Sequence, residues 1–314
     1  MNARAEAFER LEGRYEVRVL EPSPPAVEDP PWFADDPVAR GEVPEGRLVV
    51  SPVGTGDLRW GELVAQDASL AQWCAERWLG AYNRLAAPPP ALVSTRRALH
   101  KLAERVISPA RQRVNGKIGL RYTRGGFGTP FFGAECQIRV AGTSVYVQDA
   151  RGERQAPITM LADAAALVGI APIGGDEPLA VDEDAARFLG DWYGFAASVL
   201  EELRCGAVSA FDPSRVQLWP EHFDMALELG RSEDAARAAY GCSPGDEHHD
   251  QPYLYVAPWV APPAGELWQA SGFPGAELSF QEVLGASEQR QAALEFFISR
   301  LQALTGRDNG LNAH

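Results

Sequence analysis

The sequence predicts an α+β protein in which mainly antiparallel sheets are flanked by long helices. Short segments with alternating apolar and polar residues follow one another at hairpin spacing, which favours antiparallel pairing. Longer segments with a 3.6-residue apolar period precede and follow these strands. The order helix, strands, helix occurs twice, which predicts two similar halves although no residue-level repeat accompanies it.

Residues 1–47 are predicted to form a proline-rich acidic segment that wraps the body of the protein. Residues 14–20 alternate as a half-buried strand does, and the prolines that follow exclude a persistent helix or central strand. Trp32 and Phe33 are expected to anchor the segment, because a solvated linker does not need two adjacent aromatic side chains. The alternative is a flexible tail that recruits a partner through the same rings.

Residues 48–174 are predicted to form the first α+β half. An apolar stripe indicates a helix over residues 70–85, and a second helix begins at Ser94 and is closed by Pro109 and an Asn-Gly turn. Three strands are predicted next, at residues 117–123, 134–140 and 143–148. A hairpin turn is expected at Ala141-Gly142.

Two further segments complete this half. The segment RGGFGTPFFG is expected to connect the first two strands, and a short helix over residues 159–168 is expected to end at Gly169.

Residues 175–314 are predicted to form the second half, either separately or as one compact domain with the first. Asp182 is expected to cap a long helix that ends at Cys205-Gly206, and Ser287 to cap the final helix. Between them the pattern predicts strands at residues 216–229, 252–259 and 266–270, and a helical segment at 233–240.

Composition excludes several classes of protein. The chain has 314 residues, of which 46% are hydrophobic and 23% charged, and 43 acidic residues against 29 basic ones give a formal net charge of −14. That hydrophobic content is too high for a disordered chain, and 4 cysteines are too few for a disulfide scaffold. The absence of a basic footprint argues against nucleic-acid and anionic-membrane partners.

A cytoplasmic location is the expectation from the chain's beginning and its cysteines. The first ten residues are charged and lack the apolar core of a secretory signal. The cysteines lie far apart without a C-x-x-C pair, which predicts free thiols in a reducing compartment.

The most promising polar site combines two histidine-containing segments. In an extended strand, His222 and Asp224 would share one face about 7 Å apart. The loop containing His248, His249 and Asp250 supplies further polar groups. If the two segments pair, His222, Asp224, His248 and His249 could bind a divalent metal, or an imidazole and a carboxylate could act as a general base and its orienting group.

Competing interpretations of the same residues remain open. The loop at residues 246–250 can be merely solvated, and the spacing does not match the H-E-x-x-H helix of zinc proteases. The segment Gly241–Gly245 matches G-x-S-x-G, but a nucleophile elbow joins a strand to a following helix, whereas here a strand is predicted to follow.

Aromatic residues near these segments are candidate ligand-pocket lining: Phe127, Phe131, Trp219, Tyr253 and Tyr255. Such side chains form apolar pockets with a few polar groups, but they also stabilise a sheet without any further role. For the phenylalanines, packing onto the body is favoured over pocket lining.

The segments LWPEHFDMAL, SPGD, PYLYVAPW and GGFGTPFFG resemble motifs of an uncharacterised protein family of high-GC bacteria. A looser similarity to a domain of unknown function extends over most of the chain after about Leu92. The resemblance implies one compact unit but no assigned activity, so it transfers no catalytic residue.

The leading hypothesis is therefore a cytosolic protein with a small-ligand or metal-binding cleft near His222, Asp224 and the loop at residues 246–250. The first alternative is a non-catalytic interaction or structural protein that uses its aromatic cleft and its N-terminal segment. The second is a metal-dependent hydrolase, in which a bound metal lowers the pKa of its water.

Overall fold

A computed structural model describes residues 84–306 of the chain, apart from residues 124, 131, 133–135, 150–151, 208–210, 232, 234 and 263–264. The predicted N-terminal segment at residues 1–47 and almost all of the helix predicted over residues 70–85 lie outside the described residues. The same holds for Phe131.

Six α-helices form in the described part of the chain. They are α1 (Leu92–Leu102), α2 (Ser108–Asn115), α3 (Leu161–Val168), α4 (Glu183–Gly206), α5 (Phe280–Gly285) and α6 (Gln289–Thr305). A π-helical turn over Ala103–Ile107 joins α1 to α2. Pro109 therefore does not close the helix as predicted, because the widened turn before it keeps the helical path despite the missing N–H.

Two antiparallel five-stranded sheets confirm the predicted α+β class. The first sheet contains β1 (Arg121–Thr123), β2 (Gly126–Gly128), β3 (Gln137–Ala141), β4 (Ser144–Asp149) and β5 (Gly152–Pro157). The second contains β6 (Gln217–Trp219), β7 (Asp224–Leu229), β8 (Ala238–Ser243), β9 (Tyr253–Pro258) and β10 (Ala276–Ser279). In both sheets each strand pairs with the next one along the chain, so the two halves share a simple meander.

The two halves are joined through their sheets and through their core. Two backbone hydrogen bonds between Leu120 and Leu218 link the β1 and β6 edges. The long helix α4 contacts strands of both sheets, and its Trp192 and Phe195 side chains are fully buried. Asp182 caps this helix by accepting a hydrogen bond from the backbone N–H of Ala185, as predicted. One hydrophobic cluster contains residues from both halves.

Several local predictions are confirmed. The predicted hairpin joins β3 to β4, with its two-residue turn at Gly142-Thr143, one residue later than predicted, and Gly142 at φ 54°. Helix α3 ends at Gly169, and the strand predicted over residues 252–259 is β9. None of the described helices is both long and apolar enough to cross a membrane.

Other local predictions are wrong, and long-range packing explains most of them. The segment at 216–229 is a hairpin of two strands, since Pro220 cannot donate to a sheet ladder and Phe223 adopts a left-handed conformation at φ 58°. The last three residues of the helix predicted over 233–240 belong instead to β8, and no strand forms at 266–270.

Further corrections concern two strands and a helix cap. The connection RGGFGTPFFG contains a strand of its own, β2, and β5 was not predicted at all. Ser287 does not cap the final helix, which starts at Gln289 after Glu288. Instead, Ser279 caps α5 in a capping box with Glu282.

Candidate ligand site on the second sheet

The second sheet has an apolar face against the core and a polar face opposite it. Side chains alternate between the two faces along each strand, and the paired residues Met225 and Cys242 are buried in the core. Their neighbours in sequence therefore point to the opposite face. We call one end of that face the polar end; it comprises Asp224, Ser243, Tyr253, Tyr255, Glu277 and the loop at residues 244–250.

Asp224 and Tyr255 are joined across the intervening strand β8. The Tyr255 hydroxyl donates a hydrogen bond to Oδ2 of Asp224. The phenol ring lies over Gly241, where a Cβ would come within 2.3 Å of the Tyr255 Cζ atom. Gly241 is therefore needed for space, because any side chain there would displace the ring.

Asp224 is buried, and only one of its two carboxylate oxygens has a hydrogen-bond partner among the described residues. The residue is only 5% exposed, and its Oδ1 has no hydrogen-bond partner among the described residues. Burial raises the pKa of Asp224, against the opposing effects of the Tyr255 hydrogen bond and of nearby His222. An unsatisfied buried carboxylate oxygen is costly, so this arrangement calls for an explanation beyond stability.

Gly241→Ala is expected to destabilise the protein by about 1–3 kcal/mol, because the new methyl group forces the Tyr255 ring away from Asp224. Chemical denaturation measures the change. Gly272→Ala is the matched control, since a Cβ at Gly272 meets no atom within 4 Å. An equal effect of both substitutions would contradict the close approach.

A second cluster is centred on Asp246. Its Oδ1 accepts hydrogen bonds from the backbone N–H groups of His248 and His249, at 2.7 and 2.9 Å, and its Oδ2 accepts one from the Tyr253 hydroxyl at 2.6 Å. The His249 Nδ1 atom lies 3.1 Å from Oδ1. Burial by itself raises the pKa of Asp246, but these hydrogen bonds outweigh it and lower the pKa to about 2.

His249 lies between two carboxylates. Its Nε2 atom is 3.8 Å from Oε1 of Glu277, too long for a hydrogen bond, and that oxygen is buried without a hydrogen-bond partner among the described residues. The Tyr253 ring packs on the imidazole at a centroid distance of 4.3 Å.

Asp246→Asn is expected to make the free energy of unfolding less dependent on pH at low pH. An aspartate with a lowered pKa stabilises the fold above its unfolded pKa of about 3.9, and that stabilisation is lost as the pH falls through about 2. The wild type should therefore lose more stability than the variant between these values, as measured by circular dichroism at a series of low pH values. Asp250→Asn, at an exposed position of the same loop, is the control and should follow the wild type.

Arg96 and His100 lie one helical turn apart on α1, and they contact the loop at residues 244–250 and the β6–β7 turn respectively. The Arg96 guanidinium donates hydrogen bonds to four backbone carbonyls of the loop at residues 244–250. The His100 Nε2 atom lies 2.8 Å from the Pro220 carbonyl oxygen, and its ring stacks on Phe223 at 5.2 Å. Burial lowers the pKa of both Arg96 and His100.

The structure separates the predicted polar residues into different environments. His222 is exposed in the β6–β7 turn and does not lie on a strand beside Asp224. His248 and Asp250 are exposed, whereas His249 is partly buried.

The predicted metal set is not assembled. Among the described residues, no three His, Cys, Asp or Glu side chains converge closely enough to hold a metal ion. His222, Asp224, His248 and His249, all among the described residues, do not form such a group.

The predicted aromatic lining is also divided. Phe127 is buried in the core against Tyr193 and Phe223, the arrangement that the packing alternative predicts. Trp219, Tyr253 and Tyr255 are partly buried on the polar face.

The G-x-S-x-G match is not a nucleophile elbow. Ser243 is the last residue of β8, is 3% exposed and exchanges hydrogen bonds with Gly245. The segment that follows is a loop leading to β9, so no helix N-terminus supports an oxyanion site.

Sequence reasoning missed four residues that shape the site: Arg96, His100, Gly241 and Glu277. Arg96 and His100 carried one usable signal, since their spacing of four places them on one face of a predicted helix. Gly241 and Glu277 carried none, because the strand registers that give them their roles depend on tertiary pairing.

Comparison of the chain with protein-family models, curated proteins and solved structures finds no match. The resemblance to an uncharacterised bacterial family therefore stays a prediction.

Proposed function

We propose that the protein is a cytoplasmic binding protein that takes a small polar ligand at the polar end of the second sheet. One observation carries the proposal: Asp224 is 5% exposed, yet its Oδ1 has no hydrogen-bond partner among the described residues. Folding alone does not favour such an oxygen, whereas a ligand donor would satisfy it.

The surroundings support binding because they fix the polar groups in advance. Asp224, Tyr253 and Tyr255 all lie on strands, and both phenols are oriented by carboxylates. Groups held in this way lose little entropy when a ligand binds. Partly buried aromatic rings beside a few polar groups are typical of ligand sites.

A binding protein without catalytic activity is favoured over a metal-dependent hydrolase. The described residues offer no set of three side chains for a metal ion, and the Ser243 hydroxyl is engaged with Gly245. The alternative of a non-catalytic interaction protein depends partly on the N-terminal segment at residues 1–47, which lies outside the described residues.

A fragment screen by ligand-observed NMR tests the proposal with equal numbers of cationic, neutral and anionic fragments. We expect some fragments to bind the wild type and to lose binding in Tyr255→Phe, which removes one hydroxyl group. Tyr146→Phe is the matched control, on a strand of the first sheet. The proposal is wrong if no fragment binds or if Tyr255→Phe leaves all binding unchanged.

A further inference from the structure

We propose that the group recognised at the polar end is an organic cation, a substituted ammonium or guanidinium. This inference rests on the proposed function and names the class of its ligand. Three independent features of the described residues support it: the local balance of charge, the balance of donors and acceptors, and the aromatic rings.

Acidic side chains outnumber permanently charged basic ones at the polar end. Asp224, Asp246 and Glu277 lie there, and within the described residues the ion-pair partner of Asp246 and Glu277 is His249, which is charged only when protonated. The Arg96 guanidinium donates its hydrogen bonds to backbone carbonyls of the loop, and its positive charge interacts with Asp246 and Asp250 rather than with Asp224 or Glu277.

The other end of the same face provides a contrast. There Glu228 is paired with Arg237 at 2.9 Å, and Arg237 also reaches Asp212 at 3.1 Å. The carboxylate at that end is thus neutralised within the protein, whereas Asp224 and Glu277 have no arginine or lysine partner among the described residues and are available to an external cation.

The hydrogen-bonding groups at the polar end accept rather than donate. The Tyr253 and Tyr255 hydroxyls already donate to Asp246 and Asp224. The unsatisfied groups are two carboxylate oxygens, Oδ1 of Asp224 and Oε1 of Glu277. An anionic ligand would find acceptors and like charge there, whereas an N–H-bearing cation would supply the missing donors.

Aromatic rings favour an organic cation over a bare metal ion. Phe273 packs edge-to-face on Tyr255 at 6.2 Å, and Tyr253 lies 6.1 Å from Tyr255. Ring faces attract alkylated ammonium and guanidinium groups and cover their apolar parts. A metal ion would instead need converging ligands, and the described residues do not provide three of them.

Isothermal titration calorimetry with two pairs of isosteres tests the inference on the full-length protein. One pair is butylguanidinium and butylurea; the other is butylammonium and butan-1-ol. In the wild type, at least one cation is expected to bind about tenfold more tightly than its neutral isostere. Butyrate is expected not to bind.

Asp224→Asn is expected to remove most of this preference, and Glu277→Gln to reduce it. Glu228→Gln, at the other end of the face, should retain it. A melting curve for each variant shows whether it folds, and Glu277→Gln keeps the inference testable if Asp224→Asn does not.

The inference is overturned if neutral isosteres bind as tightly as the cations, if neither cation binds, or if Asp224→Asn and Glu277→Gln both retain the preference. The proposed function is judged separately: fragments that depend on the Tyr255 hydroxyl but carry no positive charge would uphold it while the cation inference fails.

Discussion

Arg96→Ala is expected to destabilise the protein by about 3–4 kcal/mol and to release the loop at residues 244–250. Arg96 is 4% exposed, and its guanidinium satisfies the backbone carbonyls of Pro244, Asp246, His249 and Asp250. Removing it leaves several partly buried carbonyls without a donor. Chemical denaturation measures the loss of stability, and amide hydrogen exchange measures the opening of the loop.

Two companion variants make this result specific. Arg97→Ala changes the exposed neighbour and should alter stability by less than about 0.5 kcal/mol. Arg96→Lys should fall between Arg96→Ala and the wild type, because one ammonium group cannot reproduce the planar donor geometry of a guanidinium. Unchanged exchange in residues 244–250 of Arg96→Ala would show that the loop is held by other contacts.

Asp224→Asn is expected to stabilise the protein at neutral pH by about 1–3 kcal/mol, while weakening ligand binding. The neutral amide oxygen can still accept the Tyr255 hydrogen bond, and the cost of a buried charge disappears. A gain of 1 kcal/mol corresponds to roughly 1–2 °C in melting temperature for a chain of 314 residues.

The pH dependence gives this prediction its sign. Burial raises the pKa of Asp224 in the folded state, so Asp224 costs the wild type the least stability below the unfolded pKa of about 3.9, where the carboxyl is protonated in both states. It loses stability as the pH rises through the folded pKa, and Asp224→Asn does not. Melting curves of the two proteins should therefore converge in acid and separate toward neutral pH.

Glu247→Gln serves as the control, because Glu247 is an exposed acid in the neighbouring loop. It should follow the wild type at every pH. If Asp224→Asn is less stable than the wild type throughout, then the Asp224 carboxylate stabilises the fold and its unsatisfied oxygen does not indicate a ligand site.

If Asp224→Asn gains stability and loses binding, then the Asp224 carboxylate favours ligand binding at the expense of the stability of the fold. Such a trade-off is expected at a binding site, where groups that hold the ligand are often unfavourable for folding. Phe223, the neighbour of Asp224, also adopts a left-handed backbone conformation that is rare for an aromatic residue.

Local patterns in the sequence were enough to predict the fold class and several elements. The Asp182 cap, the end of α3 at Gly169 and the β3–β4 hairpin all depend on residues within a few positions of one another. Such signals act through short-range hydrogen bonds and backbone preferences, so they can be recognised without tertiary structure.

Segments whose structure depends on partners far along the chain were predicted less well. The segment at 233–240 has a helical pattern, yet part of it becomes β8 because it pairs with β7 and β9. Tertiary packing overrides intrinsic preference in such cases. The predicted strand at 216–229 failed for a different reason, since Pro220 and Phe223 turn the chain back on itself.

The sequence by itself determined the acidic composition and the α+β class, and it identified Asp224 and the histidine loop as candidates for a site. Only the tertiary structure decided how these residues are arranged. Arg96 is about 150 positions from the loop carbonyls that it binds, and Tyr255 reaches Asp224 only because Gly241 lies between them. Contacts of this kind form when strands pair and a helix packs beneath them, and no local pattern encodes their distance in space.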